Sequence, residues 1–183
     1  GRRIVERLGE VLSLLSAEGI EAIPLKGAAL VLRGEAAAGL RPMGDLDLLL
    51  ADPSRLGAAA ALLAKETAYR PLLDTPRHLV LAEEDEQVPS PAGEHAGNPL
   101  RIELHRSFRL PVLGVVLDAT AELVRGAEKV PVGFQLPSAA ATFRPLWHHA
   151  AEDFAAKGLR GIQAVDFLDR ARRLGPLPAD LAA

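Results

Sequence analysis

Two aspartates stand two residues apart at the start of an apolar run, in the stretch GDLDLLL (44–50). Successive side chains of a β-strand alternate between its faces, so Asp45 and Asp47 would share one face, about 6–7 Å apart along the backbone. Two carboxylates in this arrangement repel each other, and burying a charge without a partner is costly. The pair therefore requires a positive partner: a lysine or arginine, a proton, or a divalent metal. Among metals, magnesium and manganese favour such oxygen ligands.

A structural explanation of the same two residues is also open. Asp45 could cap or bend the start of the strand while Asp47 pairs with an arginine. The metal hypothesis differs from it in needing further ligands and a place for a negatively charged substrate elsewhere in the chain.

A third carboxylate lies in the stretch RIELHRSF (101–108), which alternates as a strand does. Glu103 and His105 would share the face opposite to Ile102 and Leu104. Glu103 could complete a metal site or take a proton from the hydroxyl group of a substrate, and His105 could orient that substrate. The pattern is equally typical of a solvent-facing stripe on an edge strand.

The stretch PLKGAAL (24–30) is a candidate for binding phosphate. It predicts a strand-to-helix junction, where Gly27 lets the backbone approach a ligand and the new helix presents free N–H groups to an anion. Lys26 adds a full positive charge. The junction lies shortly before the aspartate strand, and Arg41 or Arg33 could screen phosphate.

Hydrophobic periodicity predicts the elements that would position these residues. Helices are expected at 2–18, 26–34, 52–66, 115–126, 138–157 and 159–174, and strands at 20–25, 45–50, 68–73, 77–82 and 100–108. Residues 83–99 read as an exposed connection and 130–136 as a short extended piece. The order predicts an α+β fold, a small mixed β-sheet flanked by helices. We expect a core at 1–110 and a mainly helical C-terminal region at 111–183.

Composition narrows the functional classes. The 183 residues are 49% hydrophobic and 25% charged, which is typical of a globular protein. The net charge of −3 means that the chain has no overall positive charge to attract nucleic acid. Because there is no cysteine, disulfides, zinc–thiolate sites and thiol nucleophiles are excluded. No apolar run is long enough to span a membrane and no signal peptide is evident, so a cytoplasmic protein is predicted. The bias towards Ala, Leu, Arg and Gly suggests a bacterial genome of high GC content.

Three motifs, LKGAAL, GLRPMGDLDLLL and IELHRSF, together resemble those of a family of uncharacterised nucleotidyltransferases in the DNA polymerase β superfamily. The resemblance covers roughly residues 5–170, and the central block is its most specific part. It implies a polymerase β-like fold and an enzyme that moves a nucleoside monophosphate from a nucleoside triphosphate to a hydroxyl acceptor. It also implies magnesium or manganese as the metal.

The resemblance assigns roles to individual residues. Asp45, Asp47 and Glu103 correspond to the catalytic, metal-binding carboxylates, with the two aspartates bridging two ions and Glu103 serving the acceptor. Lys26 and Gly27 match the element that holds the triphosphate, although the serine of the superfamily's Gly-Ser pair is absent. With Arg41 and His105, they form the predicted nucleotide-binding set.

The acceptor stays open: a small molecule, a protein side chain or a nucleic-acid end, and the sequence does not indicate an oligomeric state. Two alternatives are a degenerate nucleotidyltransferase that serves as a binding or antitoxin-like module, and a metal-dependent glycosyltransferase with a D-x-D motif. The spacing of Asp45 and Asp47 further predicts that Asp47→Asn relieves repulsion and stabilises the metal-free protein.

Overall fold

The computed structural model describes residues 2–34, 43–83, 100–112, 115–129, 135–138 and 142. The elements, in chain order, are α1 (Arg2–Ala17), β1 (Ala22–Pro24), α2 (Lys26–Leu32), β2 (Asp45–Leu50), a 3-10 turn (Pro53–Arg55), α3 (Leu56–Glu66), β3 (Tyr69–Asp74), β4 (His78–Glu83), β5 (Arg101–His105), β6 (Arg109–Val112), β7 (Val115–Asp118), α4 (Thr120–Arg125), β8 (Ala127–Lys129) and β9 (Gln135–Pro137). The predicted α+β class is confirmed. No helix in these ranges is both long and apolar enough to cross a membrane.

The main sheet has five strands in the order β1-β2-β5-β4-β3. Strands β2 and β5 are parallel, and every other neighbouring pair is antiparallel. The sheet is therefore mixed, as predicted. The parallel pair lies near its centre and brings the two motif-bearing strands into direct contact.

Helix α1 follows the predicted amphipathic pattern and packs on one face of this sheet. Its apolar residues are almost fully buried: Ile4, Leu8, Val11, Leu12 and Leu15. Gly19 ends the helix with a φ of 64°, a left-handed conformation that glycine adopts without a steric penalty. The N–H of Ile20 then donates to the carbonyl of Leu15 at 2.9 Å, which closes the last turn.

The leucines on the two faces of β2 pack in two different hydrophobic clusters. Leu46, Leu48 and Leu50 lie in the large core with residues of α1 and α3. Leu49 lies on the other face, in a smaller cluster that includes Ile23, Leu25, Phe108, Ala119 and Leu123. Because side chains alternate, Asp45 and Asp47 share the face of Leu49 and point away from the large core.

The helix predicted for 115–126 is wrong in its first part. Val115–Asp118 form strand β7, which pairs with β6, and helix α4 begins only at Thr120. A run of β-branched residues at 115–116 favours a strand once a partner strand lies beside it. Asp118 then accepts a hydrogen bond from the backbone N–H of Thr120 at 3.0 Å, where the chain turns into the helix.

The remaining predictions are tested only in part. Around the extended piece predicted at 130–136, the described residues form the antiparallel hairpin strands β8 and β9. Arg41, the connection at 84–99 and nearly all of the helices predicted at 138–157 and 159–174 lie outside the described residues. The division into a core and a helical C-terminal region stays a prediction.

Candidate active site

The register of the parallel pair sets Asp47 directly beside Glu103. Asp47 of β2 pairs with Glu103 of β5, and two positions earlier on both strands Asp45 pairs with Arg101. Side chains at paired positions of neighbouring strands point to the same face. The two predicted carboxylate strands are therefore adjacent, and both carboxylates face away from the large core.

Asp47, Glu103 and His105 together form a group that could hold a metal ion. Each offers one ligand atom, and the three atoms lie within 4.8 Å of one another. Two carboxylates suit magnesium or manganese, while an imidazole ligand is better suited to manganese than to magnesium. The donor set therefore fits the metal that the sequence motifs imply. Asp45 is not part of this group of three.

Lys26 reaches the same carboxylate from the other side of β2. Its Nζ lies 2.7 Å from Oδ1 of Asp47. The backbone fixes this approach because the N–H of Leu25 donates to the carbonyl of Asp47 at 2.9 Å. Lys26 itself has a φ of 48°, a left-handed conformation that non-glycine residues seldom adopt.

His105 provides the second positive or donor group at Asp47. Its Nε2 lies 2.9 Å from Oδ1 of Asp47 and 3.5 Å from Oε2 of Glu103. Burial lowers the pKa of His105, but the hydrogen bonds with Asp47 and Glu103 outweigh burial, so the net pKa is raised. The imidazole therefore favours its charged form beside these two carboxylates.

The electrostatic balance at Asp47 is attractive. Burial would raise its pKa, since the residue is only 3% exposed. The hydrogen bond from His105 and the charge of Lys26 outweigh burial and lower the pKa to about 2. The pKa of Lys26 is raised for the reciprocal reason: burial lowers it, but the Asp47 carboxylate raises it by more. Asp47 is thus a compensated, ionised carboxylate.

Asp45 has a different environment at the exposed start of β2. Although the residue as a whole is exposed, desolvation of its carboxyl group and the nearby charge of Asp47 raise its pKa to about 6. Lys26 acts in the opposite direction but does not compensate. The repulsion expected from the D-x-D spacing is therefore present, and it is concentrated on Asp45.

Replacing Asp45 should reveal this repulsion as a pH-dependent gain in stability. A carboxyl group with a folded-state pKa near 6 binds its proton more tightly than in the unfolded chain, so its contribution to stability falls as pH rises from about 4 to about 6. We expect metal-free Asp45→Asn to be more stable than wild type at pH 7, by up to about 1 kcal/mol because solvent screens the exposed charge. Urea unfolding at pH 4 and pH 7 measures the difference, which should be larger at pH 7. An equal difference at both pH values would contradict the combined effect of desolvation and repulsion on the Asp45 carboxylate.

One neighbour of the site was not singled out by the sequence. His78 on β4 pairs in register with His105, and the two ring centroids are 5.2 Å apart. Its place in a strand was predicted, but the sequence carries no signal for which strand lies beside β5. Gly27 is buried at the start of α2, and its role in holding phosphate stays a prediction. Arg41, the remaining member of the predicted nucleotide-binding set, lies outside the described residues.

Comparisons with known proteins agree with the fold. The sequence profile of a family described as "Uncharacterised nucleotidyltransferase" matches residues 1–176. The solution structure of the antibiotic-resistance factor ANT(2'')-Ia is similar, with a TM-score of 0.61 and 14% sequence identity over 95% of this chain and 85% of that chain. Its crystal structure with adenylyl-2''-tobramycin gives a TM-score of 0.60 and 13% identity, over 94% of this chain and 90% of that chain. No curated protein matches the chain.

At these identities the structural likeness concerns the fold alone. The profile match, in contrast, spans nearly the whole sequence and includes every predicted site residue. It therefore agrees with the resemblance noted from the three motifs.

Proposed function

The chain belongs to a family of uncharacterised nucleotidyltransferases, and from this premise we propose that it transfers a nucleoside monophosphate group from a nucleoside triphosphate to a hydroxyl acceptor, with magnesium or manganese. Membership confirms the prediction of a nucleotidyltransferase-type enzyme. It gives no support to the D-x-D glycosyltransferase alternative.

The observation that carries the proposal is the convergence of Asp47, Glu103 and His105. Asp47 comes from β2 and the other two from the neighbouring parallel strand β5, and their ligand atoms lie within 4.8 Å of one another. A solvent-facing stripe on an edge strand would not produce this arrangement, because β5 lies inside the sheet between β2 and β4. Nucleotidyl transfer depends mainly on positioning and on neutralising phosphate charge, which such a site can provide.

In this proposal, Asp47 and Glu103 hold the cation, with Asp45 and His105 at its margin. A bound divalent cation would neutralise charge on the phosphates of the nucleotide and on the attacking oxygen. His105 also orients Asp47, because its Nε2 lies 2.9 Å from Oδ1 of that carboxylate. These residues lie on the face of the sheet that is turned away from α1 and α3.

Glu103 is the proposed base. It is more exposed than Asp47, with a side chain that is 22% exposed against 4%, so an acceptor can reach it. In the reaction, its carboxylate takes the proton of the acceptor hydroxyl, and the oxygen forms a bond to the α-phosphorus. The bond from that phosphorus to the bridging oxygen breaks, and pyrophosphate leaves with the electron pair.

The nucleotide is expected beside the junction of β1 and α2. Lys26 supplies positive charge there, and Gly27 carries no side chain that would hinder a close approach of the phosphates to the backbone. Arg41 stays a proposed phosphate contact. A cytoplasmic location is likewise still a prediction from the sequence.

Metal-dependent nucleotide binding is the first expected result. Calorimetry with ATP, GTP, CTP and UTP should show binding of at least one in the presence of magnesium or manganese. Because the carboxylates of Asp47 and Glu103 repel phosphate when no cation is present, binding should largely disappear with EDTA. Affinity that does not depend on metal, or no affinity for any of the four, would contradict the proposal.

The acceptor can be found by following the label. Each α-labelled triphosphate would be incubated with metal and one of four acceptors: an aminoglycoside such as tobramycin, nucleic-acid ends, the protein itself, or cell extract. Asp47→Asn serves as the inactive control. Transfer in wild type alone would support the enzyme; nucleotide binding without transfer to any acceptor would favour the degenerate binding module.

A further inference from the structure

Lys26 occupies an unexpected position for a residue that is meant to hold a triphosphate. Its ammonium group does not face open solvent but lies 2.7 Å from Oδ1 of Asp47, the most buried carboxylate of the candidate metal group. The same oxygen is also 2.9 Å from His105 Nε2. Lys26 therefore neutralises in the metal-free protein the very charge that a metal would neutralise.

A divalent cation and Lys26 would compete for Asp47. A cation held by the carboxylates of Asp47 and Glu103 must approach each ligand oxygen closely, at about 2.0–2.1 Å for magnesium. An ammonium on the same carboxylate would then lie close to a double positive charge, in surroundings that screen it poorly. The attraction that holds Lys26 in place is weakened as soon as the metal shares Asp47.

The structure leaves Lys26 able to move. Its side chain is 22% exposed, so the ammonium can turn outward by rotation of the side chain. Its backbone has a φ of 48°, and strained conformations of this kind persist only where the surroundings fix them.

We propose that Lys26 is an internal counter-ion which a divalent cation displaces from Asp47, so that metal binding frees the ammonium for the phosphates of the nucleotide. The inference rests on the proposed function of the site. Lys26 is then a positioning residue with two successive partners, and the metal-free site keeps its carboxylates compensated until a cation arrives.

The test compares manganese binding, by electron paramagnetic resonance, in wild type and Lys26→Met without nucleotide. Because the competitor is removed, Lys26→Met should bind manganese at least about tenfold more tightly. Lys26→Arg keeps the charge and should stay near wild type. Lys65→Met is the matched control, since Lys65 is 78% exposed and pairs only with surface Glu66 in the described part of the chain.

A second measurement uses wild-type protein, so it does not depend on a variant that folds. The chain has only four lysines, which makes residue-by-residue acylation rates easy to follow by mass spectrometry. Magnesium without nucleotide should raise the acylation rate of Lys26 severalfold and leave that of Lys65 unchanged.

The outcomes separate this inference from the proposed function. An unchanged or weaker manganese affinity in Lys26→Met, or no change in Lys26 acylation on adding magnesium, would overturn the displacement even if wild type transfers nucleotides. Displacement without any nucleotidyl transfer would support the role of Lys26 and count against the enzyme. A purely structural ion pair would lower the melting temperature of Lys26→Met without strengthening metal binding.

Discussion

Asp47→Asn is expected to reduce nucleotidyl transfer by at least about two orders of magnitude, the scale seen when one preorganised electrostatic group is removed. Asparagine keeps the shape of the side chain but removes the negative charge at the centre of the group formed with Glu103 and His105. Metal affinity should fall with it. The measurement is the rate of label transfer at saturating nucleotide, together with manganese affinity for the same variant.

The same substitution should destabilise the metal-free protein, which reverses the expectation from the sequence. The pKa of Asp47 is lowered to about 2 because the hydrogen bond from His105 and the charge of Lys26 outweigh its burial. A lowered pKa contributes stability above the unfolded-state value of 3.8, and this is lost as pH falls through about 2. We therefore expect a loss of about 2 kcal/mol at pH 7 that shrinks toward pH 2.

A matched control is available on the surface. Asp74 forms an exposed ion pair with Arg106 at 2.7 Å, the same distance as that between Asp47 and Lys26. Asp74→Asn therefore removes an ion-paired carboxylate without touching the metal group. It should change stability by no more than about 1 kcal/mol and leave transfer intact. If Asp47→Asn loses stability but keeps its metal affinity and activity, Asp47 is a structural ion-pair partner only.

Glu103→Gln is expected to reduce the rate of transfer by about 10²–10⁴-fold, the range associated with a positioned general base. Unlike Asp47, Glu103 is partly exposed, and its contact with Nε2 of His105 is long at 3.5 Å. Its removal should therefore cost little stability. At saturating metal, the loss should appear in kcat more than in the KM for the nucleotide, because Asp47 still binds the cation while the group that takes the proton of the acceptor is lost.

Steady-state kinetics with varied nucleotide and fixed acceptor would separate the effect of Glu103→Gln on kcat from its effect on the KM for the nucleotide. Glu66→Gln provides the control, since Glu66 pairs with neighbouring Lys65 at the end of α3 on the surface. A Glu103→Gln variant with normal kcat would remove Glu103 from the proposed mechanism. A variant with normal kcat and a raised KM would assign Glu103 to binding instead.

The alternation of residues predicted the most informative part of the fold. Leu46 and Leu48 alternate with Asp45 and Asp47 in the first part of β2, and this pattern places Asp47 on the face opposite to the large core. The same reasoning placed Glu103 and His105 on one face of β5. What made the site predictable was the strict period of two in short, strongly apolar strands.

The electrostatics could not be predicted in the same way. Spacing along one strand reports the repulsion between Asp45 and Asp47, but it does not report which side chains arrive from other elements. The approach of Lys26 depends on a left-handed backbone conformation and on the register of β1 with β2. Neither property has a signature in the sequence, so an ion pair of Asp47 could be expected but its partner, Lys26, could not be identified.

The strand at 115–118 was missed for a related reason. Apolar residues there fit a helical pattern as well as an extended one, and short apolar runs cannot be resolved by periodicity alone. The segment is extended because β7 pairs with β6, and that pairing forms only in the folded chain.

The parallel arrangement of β2 and β5 also has a consequence for how the chain reaches its native state. Asp47 and His105 are 58 positions apart in the sequence. The elements α3, β3 and β4 lie in the chain between the two strands that carry them. Such long-range pairings close slowly because the chain loses loop entropy before it gains the contacts. A nascent chain that has completed β2 already carries Asp47 with its local partner Lys26, but not Glu103 or His105. The group capable of holding a cation is therefore assembled only after β5 has been made and has paired with β2.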